Sequence, residues 1–301
     1  MSLINHEPAV RLGFFAGVLA LMAAWEALAP RRPHTAARPA RWLSNLGLVA
    51  LDTIVVRLLV PLGAVGMALL AEERGWGLFA NVAVPGWLAV VLSVVLLDLV
   101  IYLQHVLFHA VPLLWRLHMV HHADLDFDVT TGVRFHTLEI LLSLGIKMGA
   151  VVLLGTPALA VLIFEVLLNA TSMFSHGNVR LPGWLDRVLR LVLVTPEMHR
   201  VHHSARPRET NSNFGFNLPW WDYLLGTYRA QPAEGHEGMT IGLTQLRDER
   251  RADRLHWMLV LPFLGRPGNY PVNRNGPGEE PAEPASPAAS SPLGRKQHLT
   301  V

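Results

Sequence analysis

The 301-residue chain contains no cysteine. This absence excludes disulfide bonds, thiolate zinc sites, iron–sulfur clusters and a cysteine nucleophile. Charged residues are also scarce, at 16% of the chain, and the net charge of +2 does not favour a nucleic-acid partner. Two metal-enzyme motifs are missing as well, namely the H-E-x-x-H of zinc proteases and the Glu-x-x-His pair of soluble di-iron bundles.

Apolar sequence is abundant, because 51% of the residues are hydrophobic. Four apolar blocks run over approximately residues 12–29, 46–71, 85–109 and 140–164. Such lengths are typical of segments that cross the hydrocarbon core of a membrane, which is about 30 Å thick. The sequence Gly-Thr-Pro at 155–157 interrupts the last block and favours a hairpin of two short spans or a re-entrant pair. We therefore predict an all-α integral membrane protein with four to five transmembrane or re-entrant helices.

The linker after the first block, PRRPHTAARPAR at 30–41, carries four arginines and no acid. By the positive-inside bias it faces the cytosol. Counting crossings from this linker brings the histidine-rich segments to the same side, where we expect a cytosolic helical cap. The expected location is the bacterial inner membrane.

Composition divides the chain into four parts. Residues 1–89 hold the first spans and the arginine-rich loop, and residues 90–230 hold the histidines of interest. A short cap segment covers residues 231–265. Residues 266–301 contain seven prolines and are expected to form a disordered tail.

The histidines are concentrated in a few groups. Two H-x-x-H-H triplets and one H-x-x-x-H pair supply eight imidazoles: His105, His109, His118, His121, His122, His199, His202 and His203. On a helix, positions i, i+3 and i+4 share one face, so each triplet aims its imidazoles at one point or at two adjacent points. Eight imidazoles are too many for one ion and suit a dinuclear centre.

Further candidates surround this core set. His136 in RFHTLE and His176 in FSHGN are additional ligand candidates by their position in the chain. Asp124, Asp126 and Asp128 follow the first triplet, but a solvated loop or a supporting role is the better interpretation, so we leave them out of the metal site. A histidine-rich dinuclear centre at a membrane face suits a redox metal that activates O₂ against a lipid C–H bond.

The motifs resemble those of the fatty acid hydroxylase/sterol desaturase superfamily of membrane di-iron enzymes. The matching blocks are DLVIYLQHVLFH (98–109), LWRLHMVHHADLDFDVTTGVRFHTLE (114–139), FSHGNVRLP (174–182) and VTPEMHRVHHSARPRETNSNFGFNLPWWDYLLGTYR (194–229). Two positions depart from the family pattern: Thr137 stands where proline is usual, and Leu225 where phenylalanine is common.

The resemblance implies that the eight imidazoles and His176 are metal ligands. It also implies that Asn213 and Asp222 lie near the site, where we expect them to hold imidazole tautomers by hydrogen bonds. Two iron ions would be the cofactor and O₂ a co-substrate, in the hydroxylation or desaturation of a lipid that is sterol-like, fatty acyl or alkyl-glycerol. No flavin, haem or nicotinamide motif occurs, so an external donor is expected: a reductase, a ferredoxin or a cytochrome b5-like protein.

Two other classes of function stay open on the sequence alone. A histidine-rich membrane metal transporter or sensor would distribute histidines and acids through its spans, whereas here they cluster at span ends. A zinc-dependent membrane hydrolase would need a general base, for which Glu139 and Glu197 are the nearby glutamates.

Overall fold

The computed structural model describes residues 2–264 and 268–272, which are helical with no β-strand beyond two isolated bridges. The helices are α1 (Ser2–Asn5), α2 (Glu7–Leu28), α3 (Arg38–Leu59), α4 (Gly63–Arg74), α5 (Leu78–Asn81), α6 (Gly86–Ala110), α7 (Pro112–His122), α8 (Thr137–Leu154), α9 (Ala158–Ser175), α10 (Gly183–Leu189), α11 (Pro196–His202), α12 (Pro207–Thr210), α13 (Trp220–Leu225), α14 (Gly235–Gly238), α15 (Glu249–Asp253) and α16 (Leu255–Val260). Short 3-10 turns cover Thr131–Val133 and Leu261–Phe263. The tail expected at 266–301 lies outside the described residues, apart from 268–272.

Five helical segments are long and apolar enough to cross a membrane. They are Glu7–Leu28 (α2), Arg38–Asn81 (α3 to α5), Gly86–Ala110 (α6), Thr137–Leu154 (α8) and Ala158–Ser175 (α9). Large apolar side chains cover their outer faces; Leu58, for example, is 74% exposed. A surface of this kind is stable in lipid and unfavourable in water. The predicted class, an all-α membrane protein with four to five spans, is confirmed.

The interruption predicted at 155–157 separates two helices. α8 ends at Leu154, Gly155 adopts the left-handed conformation with φ +64°, and α9 begins at Ala158. A Cβ atom on Gly155 would lie 2.5 Å from the carbonyl oxygen of Trp76, so glycine is required by both the turn and the close approach. α8 and α9 are therefore two separate helices joined by a tight turn.

Contacts between the connecting segments show which span ends lie together. At one end, the N–H of Ala158 donates to Glu72 (2.9 Å), beside the turn at 155–157. At the opposite end, the N–H of Arg31 donates to the carbonyl of Asn178 (2.9 Å), just beyond α9. The arginine-rich linker thus lies at the end of the bundle where α9 finishes.

A cap of short helices covers this end of the bundle. Trp115 and Val120 of α7 pack with Leu48 of α3 and Met258 of α16 in one apolar cluster. Because α3 belongs to a membrane span and α16 to the cap, this cluster joins the two parts.

A buried ionic network also joins α3 to the cap. The Arg41 guanidinium donates from Nη1 to both oxygens of Asp124 (3.2 and 3.1 Å) and from Nη2 to Asp128, and all three side chains are fully buried. Asp126 accepts from the backbone N–H groups of Thr35 and Ala36 (3.0 and 2.9 Å). The three aspartates thus bind the arginine-rich linker and α3, which agrees with leaving them out of the metal site.

Candidate metal centre

The histidines come from the ends of four helices that meet under the cap. α6 carries His105 and His109 in its last turns, and α7 ends on the first triplet. His176 follows the last residue of α9. α11 begins at Pro196, with the Thr195 hydroxyl accepting from the N–H of Met198 (3.3 Å), and runs into the second triplet. All of these imidazoles are buried.

The nine imidazoles form two adjacent groups. The five-histidine group consists of His105, His109, His118, His122 and His202, and the four-histidine group consists of His121, His176, His199 and His203. Within each group the ligand nitrogens lie within 4.8 Å of one another, a separation at which one metal ion can reach them all. The groups touch, since the rings of His122 and His203 stack at 4.6 Å between centroids.

The two triplets are divided between the groups in the same way. In the first, positions i and i+4 (His118 and His122) enter the five-histidine group, and position i+3 (His121) enters the other. In the second, His199 and His203 share the four-histidine group, and His202 crosses to the five-histidine group. Of the two arrangements that the spacing allows, the structure has the one with two adjacent points.

Most imidazoles are oriented by a hydrogen bond on their outward nitrogen, Nδ1. The acceptors are Phe214 O for His105 (2.7 Å), Glu139 Oε1 for His118 (2.6 Å), Arg134 O for His121 (3.2 Å), Ser172 O for His176 (2.7 Å) and Ser212 O for His202 (2.7 Å). His109 uses the Asn211 side-chain oxygen (3.1 Å), and the amide of Asn211 is fixed because its NH₂ donates to Tyr270 O (2.7 Å). Such partners fix the tautomer and ring orientation of metal ligands.

Where Nδ1 makes such a hydrogen bond, the inward nitrogen Nε2 carries a lone pair. A carbonyl only accepts, so Nδ1 carries the proton and Nε2 of a neutral ring carries a lone pair. His105 and His118 approach within 3.1 Å through Nε2, and His121 and His176 lie 3.2 Å apart in the same way. Lone pairs repel at this distance unless a cation lies between them. The donor set therefore fits bound metal ions.

The burial of other nitrogens supports this conclusion. Nε2 of His109, His122 and His202 is buried without a hydrogen-bond partner. An unsatisfied buried polar atom costs about 1–3 kcal/mol, and a metal ion would satisfy all three. The outward nitrogens of His199 and His203 have no acceptor among the described residues.

Burial keeps the imidazoles in the form that binds metal. Desolvation lowers the pKa of His118 and of His176 to about 3. Desolvation and the neighbouring imidazoles also lower the pKa of His199 and His202 well below the usual range. Metal binding requires neutral imidazole, so these rings need not release a proton near neutral pH.

His136 lies outside both groups. It caps α8: its Nδ1 accepts from the N–H of Leu138 (3.1 Å), and its Nε2 donates to the carbonyl of Leu259 (3.2 Å). Both ring nitrogens are therefore occupied by backbone groups. The structure does not support the prediction that His136 is a metal ligand.

Asn213 and Asp222 bind backbone groups rather than imidazoles. Asn213, with φ +52°, accepts from the N–H of Arg229 (2.8 Å). Asp222 accepts from the N–H groups of Phe214 and Gly215 (2.8 and 2.9 Å). The predicted hydrogen bonds to imidazole are therefore wrong. The two side chains shape the loop that presents the Phe214 carbonyl to His105. We call the nine imidazoles of the two groups together the metal cage.

The two glutamates considered as bases are both engaged. Glu197 accepts from Arg31 (2.7 Å) and pairs with His236 (2.8 Å). Burial would raise the pKa of Glu197, but His236 and Arg200 lower it below its usual range. Glu139 holds His118. Sequence reasoning missed this role, although a lone acid in the first turn of an apolar helix is a signal for a buried polar partner.

The comparisons with known proteins agree with this site. Residues 90–227 match the family model described as fatty acid hydroxylase. An ornithine lipid hydroxylase of Rhizobium tropici is 35% identical over 144 residues, which cover 48% of this chain and 42% of that protein. Human alkylglycerol monooxygenase is 24% identical over 191 residues (61% and 41%), and human cholesterol 25-hydroxylase is 32% identical over 142 residues (46% and 51%).

These alignments span about half, or less, of the length of each relative. No solved structure matches the chain. The match to the family model, over residues 90–227, includes the segments that supply the two histidine groups, and the resemblance drawn from the motifs is confirmed.

Proposed function

We propose that this chain, whose residues 90–227 match the fatty acid hydroxylase family model, is a membrane-embedded di-iron enzyme that hydroxylates a lipid with O₂. Iron in the two histidine groups would supply the activation of O₂ and the attack on an unactivated C–H bond. One oxygen atom enters the lipid and the other leaves as water, which requires two electrons and two protons from an external donor. Desaturation of the lipid is the other outcome of the same chemistry.

The observation that carries this proposal is the pair of adjacent, all-imidazole groups. Five and four neutral nitrogen ligands suit first-row transition metals, and imidazole suits iron as well as zinc. The three relatives are named as two hydroxylases and a monooxygenase, which favours the redox metal. The chain contributes the ligands, their orientation and a site from which water is excluded, since all nine imidazoles are buried.

The alternatives have less support. A transporter needs ligands along a path through the membrane. Here the metal-binding groups found among residues 2–264 and 268–272 lie together at one end of the spans. A zinc hydrolase needs a free base near the metal. Glu139 is hydrogen-bonded to His118, and Glu197 accepts from Arg31 and pairs with His236, so neither is free to act as a base.

The substrate that fits best is a lipid with a long hydrocarbon chain. The relatives act on an ornithine lipid, an alkylglycerol and cholesterol, which share an extended apolar body and a small polar end. In this chain, the rings of Phe214 and Phe216 lie 5.4 and 5.0 Å from the ring of His105, centroid to centroid. An apolar wall beside the cage suits a hydrocarbon chain.

The electron donor and the location follow the same reasoning. We propose an external donor, either a reductase, a ferredoxin or a cytochrome b5-like protein, that approaches the cap. We place the metal site on the cytosolic face of the bacterial inner membrane, because the arginine-rich linker at 30–41 contacts the cap side of the bundle.

The test is metal content and O₂ consumption of anaerobically purified protein in vesicles. Two irons per chain, and O₂ uptake that rises with an ornithine lipid, an alkylglycerol or cholesterol in the presence of a reductant, are the expected results. A hydroxylated product would be identified by mass spectrometry. Zinc as the bound metal, without O₂ uptake after iron reconstitution, would refute the proposal.

A matched pair of variants tests the ligand assignment. His202→Ala removes a member of the five-histidine group and is expected to lower both the metal content and the O₂ uptake. His136→Ala removes a buried histidine that caps α8, so it should reduce stability while the metal content is retained. Equal metal loss in both variants would contradict the assignment.

A further inference from the structure

The cap carries a large exposed apolar surface that the metal chemistry does not explain. α10 and the residues after it expose Trp184, Val188, Leu191 and Val192, and α13 exposes Trp220, Tyr223, Leu224 and Leu225. We call these eight residues the α10–α13 patch. Its two halves are joined, because Trp220 donates from its indole N–H to the carbonyl of Leu191 (2.7 Å). A contiguous surface of eight exposed apolar side chains on the cap marks a contact with a partner or a membrane.

The position of the patch along the spans identifies what covers it. Asp98 of α6 accepts from the Asn217 side chain and from the Trp221 indole (both 2.8 Å). Asp98 lies 12 residues after Gly86, or about 18 Å along the helix, whereas the hydrocarbon core is about 30 Å thick. The start of α13 therefore contacts α6 within the depth of the membrane.

A second contact, on a different span, gives the same depth. Asn217 also binds Thr171, which lies four residues, or about 6 Å, before the end of α9 at Ser175. The segment that begins α13 thus lies below the ends of two spans. A soluble protein partner does not reach this depth, whereas lipid acyl chains are already there.

The composition of the patch fits the same partner. It contains tryptophan, tyrosine, leucine and valine, and Arg187 is exposed on α10 within it. Aromatic residues and arginine at the edge of an apolar surface are typical of segments that lie in the membrane interface.

The patch is connected to the metal cage by a short, fixed loop. Asp222 of α13 holds the backbone N–H groups of Phe214 and Gly215, and the Phe214 carbonyl holds His105. Phe216 belongs to the same loop, and the centroid of its ring lies 5.0 Å from that of His105 and 6.4 Å from that of His199. Phe216 therefore borders both histidine groups. Fewer than ten residues separate this aromatic wall from the exposed leucines of α13.

We propose that the α10–α13 patch is inserted into the membrane leaflet on the cage side, and that lipid chains reach the cage from this leaflet past Phe216. The second half of this inference rests on the proposed function, because it identifies the source of the substrate as the bilayer beside α13. The occupant of the patch is hydrocarbon, and the polar end of the lipid stays at the level of Arg187.

The insertion is tested with single-cysteine variants, which the cysteine-free chain makes simple. Leu224→Cys and Leu191→Cys place a fluorophore on the patch, Ala233→Cys places one on an exposed polar loop of the cap, and Leu58→Cys places one on the lipid face of α3. The full chain is reconstituted in phosphatidylcholine vesicles with brominated acyl chains. Quenching at 224 and 191 should match that at 58 and exceed that at 233. Quenching at 224 and 191 no greater than at 233 would overturn the proposal.

The access route is tested by photolabelling with a fatty acid that carries a diazirine near the end of its chain. Adducts are expected on the segment 214–218 in the unmodified protein. Leu224→Asp, which disfavours insertion of α13, should reduce their yield about tenfold, and Ala233→Asp should not. Adducts absent from 214–218, or unchanged in Leu224→Asp, would overturn the route. Neither arm needs iron or O₂, so failure here is distinguishable from failure of the proposed hydroxylation.

Discussion

Replacing Glu139 by glutamine is expected to weaken one metal position and to leave the other unchanged. Among the described residues, Glu139 is the carboxylate that forms a hydrogen bond with an imidazole of the metal cage. Its Oε1 lies 2.6 Å from Nδ1 of His118. Loss of such a partner typically lowers metal affinity about 10- to 100-fold, or ~1.4–2.8 kcal/mol. Glutamine keeps a neutral acceptor, so Glu139→Gln should lower the metal affinity about tenfold. Glu139→Leu removes the acceptor and should lower the affinity about a hundredfold.

The assay is competition of the metal-loaded protein with a chelator, in which the number of ions per chain is followed as chelator increases. His118 belongs to the five-histidine group only, so each variant should lose one ion early and the second at the same chelator concentration as the unmodified protein. Glu165→Gln is the matched control, since Glu165 is a buried glutamate in α9 that pairs with Lys147. Equal weakening of both positions, or an effect of Glu165→Gln on metal release, would refute this reasoning.

Three further variants test the supports of the site. Arg41→Met leaves the buried Asp128 without its cation and Asp124 with only the more distant Arg134 (3.8 Å), so it should destabilise the protein by about 3–5 kcal/mol. Unfolding in detergent measures this, and an unchanged midpoint would contradict the buried network. Gly132→Ala puts a Cβ atom 2.6 Å from the carbonyl oxygen of Ser172, which accepts from His176. It should lower the free energy of unfolding by about 1–3 kcal/mol and weaken metal binding in the four-histidine group. Gly145→Ala, whose Cβ atom would have no neighbour within 4 Å, should have neither effect. Burial alone would raise the pKa of Asp126, but the nearby His34 and hydrogen bonds from the backbone of Thr35 and Ala36 lower it. Its contribution to stability is therefore present above about pH 4 and is lost as the pH falls further. Asp126→Asn should flatten that part of the pH profile of the unfolding midpoint, and an unaltered profile would count against this assignment.

Much of the fold follows from the sequence because lipid imposes simple rules. Helices are the structures that satisfy every backbone group within a single apolar segment, so uncharged runs predict spans directly. The Gly155–Thr156–Pro157 break was visible for the same reason. The second apolar segment extends beyond the predicted block at both ends, from Arg38 to Asn81, and is divided into α3, α4 and α5. Its first turns were not predicted as part of the span because they carry Arg41 and Asn45, whose polar groups are buried against the cap. Local composition does not reveal such long-range partners.

The site shows the same division between local and long-range information. The triplets predict shared helix faces, because the spacing i, i+3, i+4 depends only on the helix itself. Which metal position each imidazole reaches depends on how α6, α7 and α11 cross. The sequence therefore could not decide whether each triplet serves one metal position or two adjacent ones. His136 resembled a ligand by its position in the chain, and only the fold shows Leu259 and Leu138 occupying its two nitrogens. The partners of the outward nitrogens are mostly carbonyl groups, which every residue has, so no sequence pattern indicates them.

Because each triplet is divided between the two groups, the geometry of the α-helix determines how far apart the two groups lie. α7 and α11 each contribute to both groups, so the distance between the two groups is set by helical rise and rotation rather than by flexible loops. A one-residue insertion between His118 and His121 would therefore damage both positions at once, because it would move His121 and His122, which belong to different groups, relative to His118.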